Sequence, residues 1–164
     1  SLFGTEVKKT QGAILDFCEK IRAGKKAQKT KEFMICARIE SLILEQGMED
    51  ALERAFAFSE AGADAIMIHS RKKDPAEIFE FVAKFREKNT TTPIVVVPTS
   101  FNTVTEQEFK ERGVNVVIYA NQLTRTGFPA MQDAARTILE NHRAKECDDK
   151  CMSIKEIITL IPEE

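Results

Sequence analysis

The stretch Ala61-Gly62-Ala63-Asp64-Ala65-Ile66-Met67-Ile68-His69-Ser70 decides the fold of this chain. It follows an apolar stripe of helical spacing that runs from Met48 to Ser59, and glycine is the residue type that commonly ends a helix. The short apolar run 65–68 is bounded by polar residues, which is typical of a strand buried on both faces. The stretch therefore predicts one helix-to-strand step of an α/β fold.

The same alternation repeats along the whole chain. Ile14, Cys18 and Ile21 predict an amphipathic helix that ends near Gly24. Apolar runs predict three further strands, at 33–37, 94–97 and 114–119. Other helix starts are indicated at Asp74-Pro75, at the capping box 105–108, at Pro129 and at the capping box 153–156.

Strands separated by helices of this length form right-handed parallel crossovers, which predicts an α/β fold with a parallel sheet. A Gly-rich dinucleotide-binding fingerprint follows none of the predicted strands, and this weakens the doubly wound alternative. Four strands are half of a TIM-type (β/α)₈ barrel. We expect residues 1–164 to form a single domain of this kind, with 144–164 as a C-terminal extension.

Composition excludes several functional classes. The chain has 164 residues, 43% hydrophobic and 30% charged, as in globular proteins, and a net charge of −2 argues against nucleic-acid binding. We also expect no membrane segment, because every apolar run falls short of the ~20 residues that a span needs. Cys18 and Cys36 are predicted core residues, and a metal or disulfide role for Cys147 and Cys151 is disfavoured. A reducing cytoplasm fits this pattern.

Polar side chains follow the predicted strands, where parallel α/β proteins place their functional groups. Arg38 and Glu40 end the first strand on one side, His69 ends the second, Thr99 the third and Asn121 the fourth. A guanidinium and an imidazole in one pocket suit a phosphate or carboxylate ligand. Two structural alternatives stay open here. Arg38 pairs with Glu40, or His69 is a hydrogen-bonded core residue.

The motifs around these residues resemble the phosphoenolpyruvate mutase family of the isocitrate lyase superfamily. The resemblance covers nearly the whole chain, and its pieces are modest alone but specific in this order. They are Ala37-Arg38-Ile39-Glu40, Ala61 to Ala65, Met67 to Lys72, Val95 to Thr99, Tyr119 to Arg125, Phe128 to Met131 and Cys151 to Ile158. The chain would then be the second half of the barrel, from helix 4 through helix 8, with residues 1–4 as the tail of a gating loop.

The resemblance implies interconversion of phosphoenolpyruvate and phosphonopyruvate, the carbon–phosphorus bond-forming step of phosphonate biosynthesis. Arg38 and His69 match the family residues that hold the moving phosphoryl group, and Ser1 and Leu2 match substrate contacts of the gating loop. Mg²⁺ is implied as cofactor, with its carboxylate ligands upstream of Ser1 and none in this chain. Glu40, Thr99 and Asn121 are expected around the site, and Gln122 departs from the family's histidine.

Two alternatives differ from a mutase. Phosphonopyruvate hydrolase has a similar strand six and would cleave the carbon–phosphorus bond with water. The chain could instead be a non-catalytic half-barrel, as a fragment or a split subunit, and we expect it alone to be inactive and to bind Mg²⁺ weakly. Carbon–carbon lyases of the superfamily fit less well, since they carry glutamate at the position of His69. Expected partners are the small-molecule substrate and either a second copy or an N-terminal half-barrel.

Overall fold

A computed structural model describes residues 10–161 in two compact units, one ending at Ala120 and one beginning at Asn121. The first unit contains, in chain order, α1 (Ile14–Ala27), β1 (Cys36–Ile39), α2 (Gly47–Glu60), β2 (Ala65–Ile68), α3 (Ala76–Arg86), β3 (Ile94–Val96), α4 (Glu106–Glu111) and β4 (Val116–Val117). The second contains α5 (Gln122–Asn141), a 3₁₀ helix (Lys145–Lys150) and α6 (Ile154–Ile158).

The four strands form one parallel sheet in the order β1-β2-β3-β4. The register pairs Arg38 with Met67, Met67 with Val95, and Val95 with Val116. Each strand is followed by a helix, so the predicted parallel α/β fold is confirmed.

One face of this sheet packs into the core of the first unit. Its side chains pack with those of α1, α2 and α3 in a single apolar cluster, to which the strands contribute Ala37, Ile39, Ile66, Ile68, Ile94 and Val96. The stripe predicted on α2 supplies Ala51, Ala55 and Phe58 to this cluster. Gly62 follows α2 with a positive φ of 103°, which accounts for the predicted helix stop.

The opposite face is more open than the sequence predicts. Burial alternates along β1, where Cys36 and Arg38 are exposed and Ala37 and Ile39 are buried. Val116 of β4 is 43% exposed on the open face. The expectation that all strands are covered on both faces is therefore wrong for the edge strands, and so is the assignment of Cys36 to the core.

Three predicted boundaries need correction. The first strand starts at Cys36 and not at Phe33, which is 64% exposed, because the ladder with β2 begins at the Cys36–Ala65 pair. The fourth strand is only Val116–Val117. The helix expected from Pro129 already begins at Gln122. α5 continues through the proline, although proline removes one backbone donor and its ring crowds the carbonyl four residues earlier.

The predicted helix starts at the two capping boxes agree with the expected pattern. Both predicted capping boxes are formed, at Thr105 with Glu108 and at Ser153 with Glu156. Within residues 10–161, no helix combines the length and apolar character needed to cross a membrane.

Candidate functional site

The site begins at the carboxyl end of β1. Arg38 and Glu40 leave the same face of the sheet because strand side chains alternate. The Arg38 Nε–H donates to Glu40 Oε1, and the two side chains are 44% and 27% exposed. The ion pair that the sequence offered as a structural alternative is therefore formed, and it lies on the open face.

His69 directly follows β2, the neighbouring strand. Arg38 is in register with Met67, and Ile39 with Ile68. Continuing this register by one residue places Glu40 opposite His69, so both belong to the face that also carries Arg38. The structure thus brings the sequence-predicted Arg38 and His69 to the same end and the same face of adjacent parallel strands.

His69 is only 7% exposed, and its buried Nδ1 has no hydrogen-bond partner among residues 10–161. Burial is the largest cause of a lowered pKa at His69. The charge of Arg38 lowers this pKa further, Glu40 opposes the shift, and Arg71 adds a small lowering effect. The imidazole is therefore neutral at pH 7, with one N–H to donate. Because no group in residues 10–161 satisfies Nδ1, this part of the chain does not favour the alternative of a hydrogen-bonded core histidine.

A cavity of about 370 Å³ adjoins the end of β1. Arg38 and Glu40 line it together with Gln11 and Arg54, but His69 does not. The cavity therefore extends from the Arg38–Glu40 pair toward α1 and α2 and away from the imidazole.

Ser41, the residue after Glu40, anchors this end of the strand. It is fully buried, and its Oγ donates to Asp50 Oδ2 over 2.6 Å. Asp50 Oδ2 also accepts from Arg54 Nε at 2.9 Å and from Gln11 Nε2 at 3.2 Å. Burial alone would raise the pKa of Asp50, but these hydrogen bonds and the Arg54 charge hold it below its usual value. Sequence reasoning missed this cluster, although the i,i+4 spacing of Asp50 and Arg54 was a visible signal.

A second network fixes the loop after His69. Ser70 is 1% exposed, and its Oγ donates to Glu77 and accepts from the Lys72 backbone N–H at 3.0 Å. Lys72 Nζ pairs with Glu77 Oε2 at 2.5 Å. The loop that carries the imidazole is thus tied to the first turn of α3.

The other predicted site residues do not belong to the β1 and β2 strand ends. Thr99 lies three residues after the end of β3, and its N–H donates to the Val97 carbonyl at 2.8 Å, which closes a tight turn at Pro98. Asn121 is the residue before α5 in the second unit. Ser1 and Leu2 lie outside the described residues.

A metal site is not formed by the residues that the structure describes. Between residues 10 and 161, no three His, Cys, Asp or Glu side chains are grouped so that they could hold an ion. Glu40, the carboxylate nearest the proposed site, is engaged by Arg38. The donor set of this part of the chain therefore does not fit Mg²⁺, which prefers several oxygen ligands.

Comparison with known proteins links this geometry to one family. A sequence model of that family, described as phosphoenolpyruvate phosphomutase, matches residues 4–139. A phosphoenolpyruvate phosphomutase of Tetrahymena pyriformis is 39% identical over 147 residues, which are 90% of this chain and 48% of that protein. The chain thus spans about half the length of the curated relatives it matches.

Solved structures agree with the sequence comparison. The crystal structure of a phosphoenolpyruvate phosphomutase from Streptomyces platensis subsp. rosaceus has a TM-score of 0.88 and 32% identity, covering 98% of this chain and 54% of that one. A phosphonopyruvate hydrolase in complex with oxalate and Mg²⁺ has a TM-score of 0.84 and 38% identity, covering 95% and 55%.

Proposed function

The chain belongs to the phosphoenolpyruvate mutase family, and we propose that the whole protein interconverts phosphoenolpyruvate and phosphonopyruvate by phosphoryl transfer. Arg38 and His69 are proposed to hold the phosphoryl group. The observation that carries this proposal is their placement on one face, at the carboxyl ends of adjacent parallel strands. The fold itself corresponds to half of the barrel of these relatives.

The chemistry of the two side chains suits this role. Phosphoryl transfer passes through a loose transition state, so that catalysis depends mainly on positioning and on donors to the equatorial oxygens. Arg38 offers a permanently charged planar donor, and neutral His69 offers one N–H. A bound dianion would favour the protonated imidazole, which then donates from both nitrogens.

Other parts of the site are proposed to come from outside the described residues. Mg²⁺ is proposed for the complete protein, in line with the Mg²⁺ in the related hydrolase structure, and its ligands are proposed to lie in the half of the relatives that this chain does not span. Ser1 and Leu2 are proposed to contact substrate. Glu40, Thr99 and Asn121 are proposed to surround it, and a cytoplasmic location is proposed as well.

Assembly is proposed because each unit exposes apolar surface. The open face of the sheet and the edges of β1 and β4 would be covered by an N-terminal half-barrel, or a second copy would cover the helices of the second unit. Exposed apolar side chains of that unit include Leu123, Phe128, Met131, Leu139, Ile154 and Ile158. Light scattering that shows a monodisperse monomer of the 164-residue chain would contradict assembly through a second copy.

Phosphonopyruvate hydrolysis is the second candidate function, since a hydrolase shares 38% identity and a TM-score of 0.84 with this chain. Incubating the complete protein with phosphonopyruvate and Mg²⁺ and following phosphorus by NMR separates the two reactions. Phosphoenolpyruvate as product supports the mutase, whereas pyruvate with inorganic phosphate would overturn it in favour of the hydrolase.

The same assay tests the two residues. Arg38→Ala should reduce turnover by about a hundredfold or more without loss of the fold, because removing an oxyanion donor typically has this effect. His69→Ala should reduce turnover less severely. Arg22→Ala, at an exposed position of α1, is the matched control and should keep normal turnover. Near-normal rates in the Arg38 and His69 variants would mean that the site is misplaced.

A further inference from the structure

We propose that Glu40 is a positioning residue that orients the Arg38 guanidinium for end-on binding of a tetrahedral phosphorus oxyanion. This inference rests on the proposed function of the site. Glu40 accepts from Nε of Arg38, while in residues 10–161 neither terminal nitrogen of Arg38 has a hydrogen-bond partner. With Nε occupied, the planar donor fork can meet an oxyanion only through its two terminal amino groups.

The backbone that carries the Glu40 side chain is held in place by hydrogen bonds. The Leu44 N–H donates to the Glu40 carbonyl at 3.0 Å, and the Gln46 N–H donates to the Ser41 carbonyl at 2.9 Å. Ser41 is fully buried and bonded to Asp50, which is itself held by Arg54. A side chain that leaves such an anchored turn can restrict a flexible arginine, whereas a carboxylate on a loose loop could not.

The position of the pair suits a ligand on the open face. Glu40 and Arg38 leave the same face as His69, and the charges of both residues act on the imidazole. The Arg38 side chain is 44% exposed, so a ligand on the open face can reach it. The cavity of about 370 Å³ at this pair provides space in which the guanidinium would otherwise be free to turn away from His69.

A competing role for Glu40 gives the opposite result in a variant series. If the carboxylate only competes with the ligand for Arg38, then any loss of its charge strengthens anion binding. If it orients Arg38, the acceptor oxygen matters as well as the charge. Glu40→Gln keeps an acceptor and removes the charge, whereas Glu40→Ala removes both, so the two variants separate the roles.

The test uses the complete protein, labelled with ¹⁵N-arginine and ¹⁵N-histidine and titrated with methylphosphonate at a pH where this probe is doubly ionised. Arg38→Lys identifies the Arg38 Nε–H resonance by its loss. We expect Glu40→Gln to bind the probe at least as tightly as the unchanged chain. We expect Glu40→Ala to bind about tenfold more weakly than Glu40→Gln, since a hydrogen bond to a charged group contributes about that much. Its Arg38 Nε–H signal should also lose protection from exchange.

Glu53→Gln is the matched control, because Glu53 is exposed on α2 and the charge change is the same. It should stay within about twofold of the unchanged chain, as expected for a surface charge. Circular dichroism establishes that each variant folds. Equal affinities of the two Glu40 variants would overturn the positioning role and leave the proposed function intact. A probe that shifts neither Arg38 nor His69 in the unchanged chain would overturn both.

Discussion

Replacing Asp50 by alanine should destabilise the first unit, and the cost should depend on Ser41. Three donors converge on Asp50 Oδ2, from Ser41 at 2.6 Å, Arg54 at 2.9 Å and Gln11 at 3.2 Å. Asp50→Ala leaves the fully buried Ser41 hydroxyl without its main acceptor. Ser41→Ala, in contrast, removes one donor and leaves Asp50 with two others.

These contacts determine the expected changes in the free energy of unfolding. An orphaned buried hydroxyl costs about 1–3 kcal/mol, and the partly exposed Arg54 pair adds up to about 1 kcal/mol. Gln11 Oε1 lies 3.4 Å from the Ser41 Oγ and can replace part of the lost acceptor, which favours a total of about 2–3 kcal/mol for Asp50→Ala. Ser41→Ala should cost about 1 kcal/mol. In the double variant the orphaned hydroxyl is gone, so the sum of the single effects should exceed its cost by about 1–2 kcal/mol.

Urea unfolding followed by far-UV circular dichroism measures these free energies. Glu53→Ala, at an exposed position of α2, is the control and should stay within about 0.5 kcal/mol of the unchanged chain. The pKa of Asp50 is lowered by its partners, so its contribution is present above the unfolded value of 3.8 and is lost as the pH falls through the lower folded value. Additivity of the two substitutions within about 0.5 kcal/mol would refute the coupling.

Three further outcomes are expected. Gly62→Ala should cost about 1–2 kcal/mol in urea unfolding because φ at this position is +103°, whereas Gly12→Ala, with open space around it, should be close to neutral. The pKa of His69 is lowered in the folded chain, so the unfolded chain binds the proton more readily. The free energy of unfolding should therefore fall as the pH drops from 6.5 through the folded pKa. In a profile of the urea midpoint against pH, His69→Asn should flatten this part of the curve. Arg86→Lys should cost about 2–3 kcal/mol by the same unfolding measurement, since lysine cannot reproduce the fork that binds the Gly113, Asn89 and Thr92 carbonyls, and a loss under about 0.5 kcal/mol would contradict this.

The fold was predictable where one physical signal dominated. Ala65–Ile68 is a strand with the predicted bounds because both sides of its ladder are paired and both faces are largely covered. At the edge strand β1 the apolar run starting at Phe33 is misleading, because in residues 10–161 β1 is covered on one face only and pairs with one neighbouring strand. Pro129 was misleading for a related reason. A helix tolerates one missing donor when its other turns are continuous.

The candidate site was predictable to the level of residue position and not of contacts. The sequence predicts that Arg38 lies at a strand end and that His69 and Thr99 come after the next two strands, since polar residues after apolar runs are visible there. The Ser41–Asp50–Arg54 cluster joins residues from a strand end and the next helix, and its formation depends on how α2 packs back on the sheet. Side-chain pairing of this kind is a tertiary property that hydrophobic periodicity does not encode.

The register between β1 and β2 determines which of these residues lie on the same face of the sheet. With Arg38 opposite Met67, the guanidinium and the His69 imidazole share the open face, while Ile39 and Ile68 share the core face. A slip of one residue between β1 and β2 would send one of the two polar side chains into the apolar cluster, at the cost of burying it without partners. The pressure to bury Ile39 and Ile68 together therefore fixes Arg38 and His69 together on the other side. The same apolar packing that stabilises the sheet thus selects which polar groups share the face proposed to bind a phosphorus-bearing anion.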